Sequence, residues 1–153
     1  MTNAVSSKLL ELGIELPEVI KPLGSYVPAK AFGAQIVTSG QLPIFEGKLV
    51  EGRLGEDLDV AQGCQAARCA AINALAAAAD VAGGVDKIAS VDKVLVFVNS
   101  APTFTGQADV ANGASDVLGE IFSEAGRHAR SAVGVAVLPK NAAVEVELTV
   151  TVA

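Results

Sequence analysis

The stretch Val144-Glu145-Val146-Glu147-Leu148-Thr149-Val150-Thr151-Val152 decides the fold, because its side chains alternate strictly between apolar and polar. Such alternation is typical of a β-strand with one buried face. Residues 131–138 form a second predicted strand, with valines on one face and Ala132, Gly134 and Ala136 on the other. We expect a hairpin-like return to make these two strands neighbours in one sheet, whose hydrophobic face is covered by helices.

The remaining elements follow from apolar periodicity, turn residues and helix caps. Two long helices are predicted, one from Asp57 or Asp59 to residue 82, and one over residues 109–124. The other predicted elements are a helix at 6–12, a proline-punctuated loop through Ala29, and strands at 34–39, 48–50 and 91–98. The strand at 91–98 is apolar on both faces, which indicates a central position. The order β-β-α-β-α-β-β predicts an α+β sandwich, a mixed β-sheet with two main helices on one face.

The length, charge and cysteine content of the chain limit its number of domains, its possible partners and its cellular location. Its 153 residues are enough for one domain, predicted to span residues 1–153. The formal net charge of −6 argues against nucleic acid as a partner, because phosphate binding needs Lys and Arg. No segment is typical of a signal peptide or a membrane span. Cys64 and Cys69 lie too far apart around one predicted helix to form a disulfide bond. Both observations favour a reducing, cytoplasmic location. With one histidine and no thiolate pair, we expect neither a metal nor a cofactor.

Arg130 and Glu145 are the candidate catalytic residues. Arg130 lies at the mouth of one predicted strand, and Glu145 lies near the start of the next. A guanidinium can hold a carboxylate through two parallel hydrogen bonds, and a glutamate can hold a water molecule, so the pair predicts a hydrolytic site for a small molecule. The plainer interpretations are a surface arginine paired with some carboxylate, and an exposed strand glutamate beside Glu147.

His128 and Tyr26 are the single histidine and the single tyrosine of the chain. His128 can act as a general acid or base near neutral pH, or it can interact as a cation with the end of the preceding helix, alongside Arg127. Tyr26 can cover a ligand or pack at the edge of the sheet. A hydrolase triad of Ser39, His128 and Asp116 receives little weight, because the chain has no G-x-S-x-G nucleophile elbow.

Six short motifs occur in order from about Tyr26 to the C-terminus. They are Gly24-Ser25-Tyr26-Val27, Thr38-Ser39-Gly40-Gln41-Leu42-Pro43, Val96-Phe97-Val98, Ala129-Arg130-Ser131-Ala132-Val133, Leu138-Pro139-Lys140 and Val144-Glu145-Val146-Glu147. Each one alone is weak evidence. In this order and at these spacings, they resemble the motifs of the RidA-like (YjgF-type) reactive-intermediate deaminase family.

The resemblance implies a chorismate-mutase-like fold and a homotrimer, in which three sheets form a central barrel and the active sites lie in clefts between subunits. It also implies hydrolysis of small enamine or imine intermediates, of the 2-aminoacrylate type, to 2-oxo acids and ammonia. Arg130 would bind the carboxylate of this small metabolite, and Glu145 would hold the attacking water. The other substrate-binding positions implied by the family pattern are Tyr26, Ser39, Gly40 and Asn112.

The chain departs from the family pattern at His128, where Pro is common, and at Ala132, where Cys is frequent. Both residues are expected to contribute to substrate binding. An N-terminal extension over residues 1–20 indicates a longer subgroup. Two alternatives stay open beside the deaminase: a non-catalytic module that binds a small carboxylate metabolite in the same cleft, and an endoribonuclease, against which the acidic charge argues.

Overall fold

A computed structural model describes residues 4–153 and places two long helices on one face of a five-stranded mixed sheet. The helices are α1 (Val5–Leu12), α2 (Val60–Ala82) and α3 (Gln107–Phe122). The strands are β1 (Ala29–Phe32), β2 (Gln35–Thr38), β3 (Ile44–Phe45), β4 (Lys48–Leu49), β5 (Ile88–Asn99), β6 (Ala129–Val135) and β7 (Val144–Val152). The predicted α+β sandwich is therefore confirmed. Within residues 4–153, no helix is long and apolar enough to cross a membrane.

The order of strands in the main sheet is β1-β2-β7-β5-β6. β6 pairs in parallel with β5, and the other neighbouring pairs of this sheet are antiparallel. The prediction that a hairpin-like return makes β6 and β7 neighbours is wrong, because β5 lies between them. The physical reason is the crossover through α3, which brings β6 back parallel to β5 on one side and leaves the other side of β5 for β7.

The faces of β6 also differ from the prediction. Gly134 lies opposite Val98, whose side chain is fully buried under the helices, and Ala132 shares this face. Val133 instead lies on the open face of the sheet and is 42% exposed. The parallel register with β5 sets these faces, because it places Ala132 opposite Val96 and Gly134 opposite Val98. The side chain of Gln107, the first residue of α3, occupies the space beside Gly134.

The hydrophobic core lies between the sheet and the two long helices. The side chains of Asp59 and Gln62 cap the start of α2 reciprocally, and Gly83, with φ of 86°, ends this helix. The buried face of α2 is mostly alanine, which lets its backbone approach the sheet and α3 closely. At the contact with α3, a Cβ on Gly113 would overlap the backbone carbonyl of Cys64. The two helices are therefore in direct backbone contact.

A strand that was not predicted begins where the predicted loop ends. Residues 29–32 form strand β1, paired with β2 from Ala29 opposite Thr38 to Phe32 opposite Gln35. Phe32 is 58% exposed on the face of the sheet that turns away from the helices. Part of this open face is covered, because Phe97, which lies opposite Glu145, packs against Leu42, Leu138 and Ala142. Phe32 and Val133 lie on the exposed part.

Candidate functional site

Arg130 is the second residue of β6, at the edge of the sheet. It lies opposite Val94 of β5, a residue fully buried under the helices, so the arginine side chain is on the helix face. Its Nη1 donates to Oδ1 of Asn112 at 2.7 Å and to Oγ of Ser115 at 3.2 Å. Its Nη2 donates to the carbonyl oxygen of Ala108 at 3.3 Å. Three acceptors on α3 thus hold the half-buried guanidinium in one orientation.

The charge of Arg130 has no carboxylate partner among residues 4–153, where the ion pairs involve other cations. The hydrogen bonds to α3 occupy both N–H groups of Nη1 and one N–H group of Nη2. The Nε–H and the second Nη2–H have no acceptor in this part of the chain. Two adjacent N–H donors match the two oxygens of a carboxylate, so the geometry suits a bidentate carboxylate ligand.

Both ring nitrogens of His128 are engaged within the chain. Nδ1 lies 2.6 Å from the carbonyl oxygen of Gly126, and Nε2 lies 2.8 Å from Oγ of Ser115. These contacts connect His128 to Arg130 through Ser115, and the part of His128 in substrate binding stays a prediction. Ala132, two residues after Arg130 on the same face of β6, is half-buried and also on the arginine side of the sheet.

Glu145 lies on β7, opposite Phe97 of β5. Its neighbours Val144 and Val146 are fully buried under the helices, so Glu145 is on the open face of the sheet. It lines a cleft of about 270 Å³ between the N-terminal loop and the strand ends. Two predicted site residues, Tyr26 and Gly40, also line this cleft. Its other polar side chains are Lys21, Gln41 and Lys140.

Arg130 and Glu145 therefore lie on opposite faces of one sheet. A single chain cannot bring both side chains to one small substrate. Each residue instead lies with a separate group of side chains: Arg130 with Asn112 and Ser115 at the edge of the sheet, and Glu145 with Gly40 and Tyr26 in the cleft.

Ser39 and Tyr26 hold the loop that forms one wall of the cleft. The Ser39 hydroxyl donates to the carbonyl oxygen of Val27 at 2.6 Å, and its backbone N–H donates to Pro28. The Tyr26 hydroxyl accepts the backbone N–H of Leu23 at 3.2 Å, while its ring stays half exposed. Ser39 is thus tied to the loop backbone, and Tyr26 presents its ring to the cleft.

The pKa of Glu145 is raised above the ordinary value of 4.5. Burial of the carboxyl group is the larger cause, and the negative charge of Glu147 raises the pKa further. Burial also raises the pKa of Glu147. Neither glutamate makes an ion pair within residues 4–153. A carboxylate with a raised pKa is a better proton acceptor near neutral pH than an ordinary glutamate.

Gly40 leaves room for the Glu145 carboxyl group. A Cβ on Gly40 would lie 2.6 Å from Cδ and 2.7 Å from Oε2 of Glu145. We expect Gly40→Ala to lower the free energy of unfolding by about 1–3 kcal/mol, because one of the two groups must move. Urea unfolding measures this loss.

The matched control for Gly40→Ala is the same substitution in a Glu145→Ala background, where the carboxyl group is absent. There we expect a loss of less than about 0.5 kcal/mol, since interacting residues give non-additive effects. Equal losses in both backgrounds would show that the two groups do not collide.

Ser115 and Lys140 were not among the predicted site residues. Ser115 follows Asn112 by three residues on α3, a spacing that places both on one side of a helix, and this signal could have identified it. Lys140 lies in the turn before β7 with φ of 57°, a left-handed backbone that only the structure reveals. Among residues 4–153, no group of three or more His, Cys, Asp or Glu side chains is arranged to hold a metal ion.

Comparisons with known proteins agree with the motifs. The family model described as “YjgF/chorismate_mutase-like, putative endoribonuclease” matches residues 6–152. The protein TCP17 of Trypanosoma cruzi is 46% identical over 151 residues, which cover 97% of this chain and 94% of that protein. A crystal structure of a “putative endoribonuclease” from Shewanella oneidensis is 38% identical, with a TM-score of 0.94 over 98% of this chain and 100% of its own. The crystal structure of E. coli TdcF with bound serine is 25% identical, with a TM-score of 0.65 over 89% of this chain and 94% of its own.

These matches differ in how much of the chain they cover. The Shewanella structure matches nearly the whole chain, whereas TdcF matches a smaller share with a lower TM-score. Since the family model spans residues 6–152 and the relatives match almost end to end, the chain is a member of the YjgF/chorismate-mutase-like (Rid) family.

Proposed function

We propose that this protein hydrolyses small enamine or imine intermediates, of the 2-aminoacrylate type, to 2-oxo acids and ammonia. The observation that carries the proposal is the Arg130 guanidinium, which three acceptors hold in place while two adjacent N–H donors stay available for a carboxylate. Membership in the YjgF/Rid family supports a function that involves a small molecule. TdcF, a relative solved with bound serine, supports a ligand that carries a carboxylate.

The proposed site needs a second copy of the chain, because Arg130 and Glu145 lie on opposite faces of one sheet. We expect a homotrimer with three sheets around a central barrel, in which the Arg130 half-site of one subunit faces the Glu145 cleft of its neighbour. Exposed Phe32 and Val133 on the open face support burial of that face between subunits. Sedimentation should give three times the 15.4 kDa of one chain, and a monomer mass would contradict the assembly.

In the proposed reaction, Arg130 holds the substrate carboxylate and Glu145 orients a water molecule. The water oxygen bonds to the imine carbon while its proton passes to Glu145. The protonated Glu145 then gives the proton to nitrogen and accepts the proton of the new hydroxyl group as the carbon–nitrogen bond breaks and a C=O bond forms. This second proton passes to the departing ammonia, which leaves as ammonium. One iminium ion and one water thus give one 2-oxo acid and one ammonium ion. The rate arises from positioning and from the fixed cation, with no covalent intermediate.

The proposal is tested by generating an imino acid in the assay with an amino-acid oxidase and catalase, and following ammonia release. The wild-type protein is expected to accelerate release at least about tenfold over the spontaneous rate, since positioned general-base catalysis contributes more than this. Equal rates with and without the protein would contradict the deaminase proposal. Binding of a 2-oxo acid without acceleration would instead identify a binding module.

The pH dependence of the reaction follows from the raised pKa of Glu145. As the pH falls through that pKa, the carboxylate gains a proton and can no longer accept one from water. We therefore expect kcat/KM to fall on the acid side with a midpoint above 4.5, the ordinary glutamate value. Glu145→Gln should remove both this acid limb and most of the activity above the spontaneous rate.

Glu147→Gln is the matched control for the pH profile. Its charge is one cause of the raised pKa of Glu145, so its removal lowers that pKa. The acid limb of Glu147→Gln is expected to remain but to move to lower pH. An acid limb that is unchanged in Glu145→Gln would assign the titration to another group.

A further inference from the structure

The direction of the Arg130 guanidinium is set from α3. Asn112 and Ser115 lie three residues apart, hence on the same side of the helix, and their oxygens accept the two N–H groups of Nη1 at 2.7 and 3.2 Å. Two acceptors on one nitrogen fix both the position and the plane of the guanidinium. The Nε–H and one Nη2–H then share the edge that is left for a ligand.

The hydroxyl of Ser115 is itself oriented by His128. Nδ1 of His128 lies 2.6 Å from the carbonyl oxygen of Gly126, and a carbonyl oxygen only accepts, so Nδ1 carries the hydrogen. In the neutral ring, Nε2 then accepts the Ser115 O–H at 2.8 Å. The hydroxyl hydrogen is thereby turned away from Arg130, and the oxygen lone pairs face its Nη1. Without His128, this hydroxyl is free to rotate.

We propose that Ser115 and His128 are positioning residues that aim Arg130 at the substrate carboxylate. This inference rests on the proposed function, in which Arg130 holds the carboxylate. The chain of contacts runs from Gly126 through His128 and Ser115 to the guanidinium. His128 thus acts through Ser115 and need not touch the substrate.

The test measures binding of 2-oxobutanoate by calorimetry, together with KM and kcat. We expect Ser115→Ala and His128→Ala to weaken binding and to raise KM about tenfold, with kcat changed less than about twofold, because each loses a hydrogen bond that orients a charged group. Ser115→Thr keeps the hydroxyl, and His128→Gln keeps an acceptor near the position of Nε2. Both conservative variants should recover most of the affinity.

Arg130→Lys is the background that separates positioning from general stability. Lysine keeps the charge but has no planar fork to aim, so Ser115→Ala should change 2-oxobutanoate binding less than about twofold there. If Ser115→Ala lowers the affinity for 2-oxobutanoate equally in the wild-type and Arg130→Lys proteins, the inference is overturned. Wild-type affinity in Ser115→Ala would also overturn it, and so would a wild-type protein that does not bind 2-oxobutanoate. If Ser115→Ala weakens binding only when Arg130 is present, but the protein does not accelerate ammonia release, the positioning inference is upheld. Only the deaminase proposal is then contradicted.

Discussion

Replacing Arg130 by alanine is expected to lower kcat/KM for an imino acid by about 100-fold or more. Loss of one partner of a hydrogen-bonded charge pair costs about 2–5 kcal/mol, and the substrate carboxylate would lose both N–H donors of the fork. Arg130→Lys should recover only part of the loss, because an ammonium is a point charge that cannot form two parallel bonds. Initial rates of ammonia release, corrected for the spontaneous reaction, measure the effect.

Arg127→Ala is the matched control for Arg130→Ala. Its side chain is 80% exposed and pairs at 3.6 Å with Glu124, three residues away. Removal of this charge should leave kcat/KM within about twofold of the wild-type value, since exposed ion pairs contribute little. Equal activity of Arg130→Ala and the wild type, with both folded, would remove the carboxylate clamp from the mechanism.

Gly113→Ala is expected to lower the free energy of unfolding by about 3 kcal/mol, the upper range for overpacking a core. The added methyl group would overlap the backbone carbonyl of Cys64 on α2, and neither helix backbone can rotate away as a flexible side chain could. The two helices must therefore separate, which disturbs the alanine-lined contact between α2 and the sheet. Thermal unfolding should show a fall in Tm of about 6–12 °C at a fixed protein concentration.

Gly119→Ala in the same helix is the control for Gly113→Ala. A Cβ on Gly119 would meet nothing within 4 Å, and the residue lies in the regular helix α3. This change should stabilise the protein by about 0.5–1 kcal/mol, because alanine loses less conformational freedom than glycine in a helix. A large destabilisation by both substitutions would show that α3 does not tolerate alanine for some reason other than its contact with Cys64.

The candidate site could be predicted from the sequence only in part. The motifs single out Arg130 and Glu145 as candidate site residues. The alternation of β7 correctly predicts that Glu145 points away from the core. The side of the sheet on which Arg130 lies could not be read, because both faces of β6 are apolar. Valine and alanine are equally compatible with a buried face, and only the register with β5 places Ala132 and Gly134 on the helix face.

The sequence by itself determined the α+β class, the two long helices, the two-sided sheet and the family, because periodicity, caps and motifs are properties of neighbouring residues. The tertiary structure alone decided that β5 separates β6 from β7, that Arg130 and Glu145 lie on opposite faces, and that His128 reaches Arg130 through Ser115. These features depend on how α3 crosses the sheet. The order of the strands, and the face of the sheet on which a side chain lies, are set by packing between residues that are distant in the chain. Local sequence patterns carry no information on this packing.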